Sequence, residues 1–237
     1  MRVVKEQIAA WQGMFARHPF FERLEQEPMQ GPPFPFAPAL MFWIMGFQDV
    51  LRLNEHFAQD PTVKRFAARH RVEDSEHWSW FLDDLTMLGM TDRDVTFLFG
   101  GGHRATRDVT YGILAEVYRV SDDRLRVPLI LSLESTAHVF FTRVARYAQR
   151  LGLRDRLRFF GSEHLAAEES HDFHADETDE IDDLALPDSL RVEAIAMVQR
   201  IHQAFMIMFD DPAFSFTPAN PIPPRPVVAP AAAAPSC

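Results

Sequence analysis

Apolar positions recur at three- and four-residue intervals over most of this chain, and the every-second-residue alternation of a half-buried strand is nearly absent. The pattern predicts an all-α fold. A first helix is expected over about 2–16, followed by the proline-rich connection QGPPFPFAP and a strongly apolar helix from about 37 to 58. Asp60-Pro61 opens the third, which runs to about 88 and stops at Gly89. A fourth covers roughly 103–120. The fifth starts near Ser121, carries Pro128 as an interior irregularity, and continues through LILSLESTAHVFFTRVARYAQRLG. A sixth is expected near 155–175, and a seventh over about 188–209, capped by Asp188 or Ser189 behind Pro187. From 217 onward Pro and Ala replace any amphipathic pattern. The expected organisation is one helical domain, 1–216, and a flexible tail, 217–237.

Composition agrees with a single thick core: 47% of residues are hydrophobic and 21 are Phe. The net charge of −10, with 34 acidic against 24 basic residues, argues against nucleic acid as a partner, because phosphate binding draws on Lys and Arg clusters. No window offers about 18 consecutive apolar residues, and MRVVKEQIAAWQGMF lacks the character of a signal peptide, so a cytoplasmic protein without membrane contact is expected. The single cysteine, Cys237, is the last residue. An internal disulfide framework is thereby excluded and a thiolate site argued against, so any metal chemistry is expected to use His and carboxylates.

Two octets change the picture. HRVEDSEH, residues 70–77, and HLAAEESH, residues 164–171, each read His, three residues, a carboxylate, two residues, His. On a helix, positions i, i+4 and i+7 fall within about 60° of one another. His164, Glu168 and His171 therefore share one face, as do His70, Asp74 and His77. Imidazoles and carboxylates on one stripe suit a divalent first-row metal. A third clue is Glu134, set among Leu131, Leu133, Val139 and Phe140, where a lone carboxylate is costly unless paired or metal-bound. Asp74, His77, Glu134, His164, Glu168 and His171 make three carboxylates and three imidazoles, more than a single zinc needs and suited to a pair of iron or manganese ions.

The order His77, Glu134, His164-x3-Glu168-x2-His171, with about 57 and 30 residues between the three groups, resembles the haem-oxygenase-like diiron oxidases and oxygenases. Within that family, EDSEHWSWFLDDL and SEHLAAEESH are most similar to a nitrile-forming member that acts on a tryptophan-derived amino acid. The resemblance implies a seven-helix haem-oxygenase-like bundle, two Fe(II) ions, and O2 as co-substrate. It implies a small organic substrate, an aromatic amino acid or an amine among the candidates, with N-oxygenation, C–C cleavage or nitrile formation as outcomes. An external electron donor and a homodimer are left open. Glu168 stands where most members have Asp. The first-helix carboxylate is assigned to Asp74, with Glu73 as second choice and His70 as ligand, supporting partner or substrate contact. His138 is read as a supporting or core residue, and His174 as turned away from the stripe. The alternatives are a ferritin-like diiron protein, which needs another lone Glu, and a non-catalytic metal-binding helical protein.

Overall fold

The computed structural model describes residues 1–26, 31–90, 95–170 and 184–216, with the side chains of 95 and 168–170 outside the description. Among these residues it is helical and contains no β-strand. The helices are α1 (Arg2–Phe15), α2 (Pro19–Glu25), α3 (Met41–Phe57), α4 (Pro61–Glu73), α5 (His77–Met87), α6 (Val95–Phe99), α7 (Arg104–Arg119), α8 (Arg126–Arg150), α9 (Ser162–Ser170) and α10 (Asp188–Asp210). Helix α3 packs on α4 and α7, while α1, α8 and α10 pack on one another and α7 closes on α10. No helix among the described residues is long and apolar enough to cross a membrane. The proposed tail lies outside the described residues.

Local chemistry explains most boundaries. The Asp60 carboxylate accepts the N–H groups of Thr62 (2.9 Å) and Val63 (3.0 Å), with Pro61 in the first helical position. Pro128 is not an interior kink: α8 begins at Arg126, so the proline occupies the first turn, where its missing N–H has no intrahelical partner to lose. Helix α10 starts behind Pro187 without a side-chain cap, contrary to the expectation for Asp188 or Ser189. The unanticipated α2 is short and is capped by the His18 ring, which accepts the Phe20 N–H at 3.2 Å.

The largest correction falls on the third predicted helix. It breaks between Glu73 and His77, where Asp74 (φ −90°, ψ 0°) and Glu76 (φ −109°, ψ −5°) leave helical geometry. Ser75 Oγ donates to the Val72 carbonyl at 2.8 Å, one of the side-chain-to-backbone bonds by which Ser and Asp compete with the helical ladder. The first octet therefore spans two helices rather than one face.

The core is built largely of phenylalanine. Phe20 meets Phe36 edge-on at 5.0 Å and Phe209 at 4.5 Å, and Phe81, Phe159 and Phe160 form a second aromatic group. Phe34 holds φ 54°, a left-handed conformation that costs a bulky residue roughly 1–3 kcal/mol. Its ring, fully buried, is fixed by stacking on Phe160 (4.8 Å) and by Tyr147 (5.0 Å).

Between α7 and α10, the buried Glu116 carboxylate takes a two-pronged contact from Arg200 at 2.8 and 2.7 Å and a further one from Arg119. Burial pushes its pKa up, but the two guanidinium groups overcome this and hold it below the ordinary value of 4.5. A depressed folded-state pKa contributes stability above the unfolded value, and that contribution is lost as pH falls through the folded one. Urea unfolding between pH 6 and pH 3 should therefore show an acid-side loss of stability that is shallower in Glu116→Gln.

Candidate metal centre

Two triads of polar side chains meet in the interior: the buried Asp74, His77 and His164 form one, and the buried His70 and Asp74 with the part-buried Glu134 the other. Within each, one potential ligand atom per residue lies within 4.8 Å of the others. Asp74 belongs to both. Its Oδ1 is 2.7 Å from His77 Nδ1, and its Oδ2 is 3.1 Å from His70 Nε2. Glu134 Oε1 reaches the same His70 nitrogen at 2.5 Å. The helix break turns the Asp74 side chain between His70, one turn earlier on α4, and His77, the first residue of α5.

His164 arrives from a separate segment of the chain, at the start of α9. Its Nδ1 is 3.1 Å from the Phe159 carbonyl, which can only accept, so the proton sits on Nδ1 and the lone pair on Nε2. Its ring lies against Phe141 (3.7 Å between centroids), His77 (4.2 Å) and Phe159 (4.6 Å). The loop that supplies this carbonyl is anchored by Asp84 of α5, whose two oxygens accept the N–H groups of Arg158 (2.8 Å) and Phe160 (2.9 Å). Burial raises the Asp84 pKa against the pull of those N–H groups. Asp84→Ala would leave the buried Phe160 N–H unpaired, at about 1–3 kcal/mol, and the part-buried Arg158 N–H at less, whereas Asp84→Asn keeps one acceptor oxygen. Urea unfolding should show the Asn variant losing clearly less stability than the Ala variant; equal losses would argue against the anchoring role.

The electrostatics favour a cation. Burial drives the Asp74 carboxyl up, but the close approach and charge of the His70 and His77 rings hold it far below the usual carboxylate range. Burial equally opposes charge on His70, yet Glu134 and Asp74 keep its pKa well above 6.5. Two carboxylates in so dry a place create a strongly negative potential.

Of the six residues singled out in the sequence, four come together here: Asp74, His77, Glu134 and His164. Glu168 lies on α9, its side chain outside the described residues, and His171 lies outside them altogether. Glu73, the second choice for the first carboxylate, pairs instead with Arg69 at 2.7 Å. His138 is exposed on α8, so its expected supporting or core role is not met. His174 also lies outside the described residues. Sequence reasoning missed Asp84, which sits seven residues after His77 on the buried face of α5, and Gln48, which donates to the Asp74 carbonyl at 3.3 Å.

A cavity of about 80 Å³ adjoins the cluster, room for a few water molecules or a small ligand. Asp74, His77, Glu134 and His164 line it together with Trp43, Phe47, Phe140, Phe205 and Met208, and no Lys or Arg among the described residues does. No family model matches the sequence, and no curated protein is similar enough to count as a relative.

The donor set fits a pair of first-row divalent ions. It offers three imidazoles and two carboxylates, and one carboxylate directs each oxygen at a different histidine, the arrangement by which a carboxylate spans two metals.

Proposed function

We propose that the protein is a non-haem diiron oxidase or oxygenase that carries out O2-dependent oxidation of a small organic substrate, an amino acid or amine being the class the sequence resemblance favours. The observation that carries this reading is Asp74, shared between two triads and bordering a mostly apolar cavity. Asp74, His77 and His164 would hold one iron, with Asp74 and Glu134 contributing to the other; Glu168 and His171 complete the set on the strength of the resemblance. Bound iron would supply the reduction of O2.

The chain's own residues do the remaining work. The Phe159 carbonyl keeps the His164 proton on Nδ1, which places the ring's lone pair on Nε2. Trp43, Phe47, Phe140 and Phe205 exclude water from the space beside the cluster, which strengthens every charge interaction in it. Gln48 steadies the backbone at Asp74. A ferritin-like or purely structural metal site has no use for an apolar chamber bordering its ligands, which favours the catalytic alternative.

Anaerobic titration with Fe(II) should saturate near two equivalents, and admission of O2 should then raise a transient visible band. Glu134→Ala should abolish turnover with helicity unchanged. Saturation near one equivalent, or the absence of any band across a screen of amino acids and amines, would count against the proposal.

A further inference from the structure

The most informative atom outside the six sequence-assigned positions is His70 Nε2. It is buried, it lies 2.5 Å from Glu134 Oε1 and 3.1 Å from Asp74 Oδ2, and neither contact has the direction of a ring N–H hydrogen bond. An imidazole placed to donate a hydrogen bond points its N–H along the line to the acceptor. Here the nitrogen and two carboxylate oxygens instead crowd toward common ground, as donor atoms do when all of them face a cation. Glu73, one helical turn from Arg69, is drawn away from this place by that arginine.

We infer that His70 is itself a metal ligand, completing with Asp74 and Glu134 a second ion site that carries a histidine from α4. This rests on the dinuclear reading and adds to it. Each ion would then have a nitrogen donor from the α4–α5 segment, His77 on one side of Asp74 and His70 on the other. The second site acquires an imidazole nitrogen, a donor that favours the late first-row ions over Mg2+. Nothing in this assignment depends on the side chains of Glu168 or His171. His70 also meets the Phe47 ring edge-on at 6.1 Å, so the residue that binds the ion touches the wall of the apolar chamber.

The test is metal binding, not turnover. Equilibrium dialysis of the full chain against Mn(II) and against Co(II) should give two equivalents for the wild type. In His70→Ala the first equivalent should bind as before and the second more than about a hundredfold more weakly, beyond the roughly 10–100-fold loss expected when only an outer hydrogen-bonding partner is removed. The Co(II) ligand-field spectrum of the second equivalent should change, and added imidazole should restore both affinity and spectrum. His70→Gln, which keeps volume and hydrogen-bonding capacity, should behave like the Ala variant and serves if that variant does not fold. Wild type binding two ions while both variants retain the second within tenfold, with an unaltered spectrum, would overturn the assignment and leave the dinuclear reading standing. Wild type binding one ion or none would remove that reading and the inference together.

Discussion

Asp74→Asn is expected to abolish tight binding of both metal ions at once. Its two oxygens are divided between the triads, Oδ1 toward His77 and Oδ2 toward His70, so the carboxylate is the one group whose loss strikes both. Asparagine has nearly the same shape but no charge, and its amide nitrogen cannot donate electrons to a cation. The expected result in anaerobic Fe(II) titration is a fall from two equivalents to less than one, with far-ultraviolet helicity close to wild type. His164→Ala should remove one equivalent only, since His164 belongs to a single triad. If Asp74→Asn kept two tightly bound ions, the shared-carboxylate geometry would be irrelevant to binding and the proposed function would lose its main support.

Gly161→Ala is the second change expected to have a large effect, and it tests the delivery of His164. A Cβ at residue 161 would lie 1.9 Å from the Leu157 carbonyl oxygen and 2.2 Å from that of Arg154. Both obstacles are backbone, and the same segment carries the Asp84 anchor and the Phe159 carbonyl, so no side-chain rotation relieves the clash. Overpacking of this kind costs up to about 3 kcal/mol or more. For a chain of this length that is a fall of roughly 6–12 °C in Tm. Gly152→Ala is the comparison: its φ of 68° strains an alanine, but nothing lies within 4 Å of the new methyl, so about 1–2 kcal/mol is expected. Calorimetry should rank Gly161→Ala well below Gly152→Ala, and metal titration should show the former losing the His164-dependent equivalent. Equal destabilisation by the two would contradict the tight loop described for 154–161.

The features that could be read from the amino-acid order were those set by local chemistry. Helical periodicity located α1, α3, α7 and α10, and Asp60-Pro61 announced α4, because capping and proline geometry are decided within four residues. Glu134 was conspicuous because a carboxylate among Leu and Phe needs a partner wherever the chain folds. The break at 74–76 was not visible, since Asp and Ser occur within helices too, and only packing against the rest of the bundle favours their turn conformations. That break altered the meaning of His70, which a continuous helix places on the same stripe as His77 but says nothing of Glu134. His138 misled for a related reason. Four residues from Glu134 it shares a side of α8, yet Glu134 is already at the edge of the buried face and one turn further the side chain reaches solvent. Asp84 was hidden in an acidic pair that resembles an ordinary solvated turn, and its role depends on a loop seventy-four residues away.

The uneven exposure of the cluster has a consequence for traffic. Side-chain accessibility is 8% or less for His70, Asp74 and His77, but 21% for Glu134, and the partly exposed Trp78 borders the same chamber. Glu134 and Trp78 stand where the chamber meets solvent, beside the part-buried Trp43 and Phe47, and this side is the expected way in for whatever the cavity takes. The carboxylate best placed to swing aside is thus the one standing at the threshold.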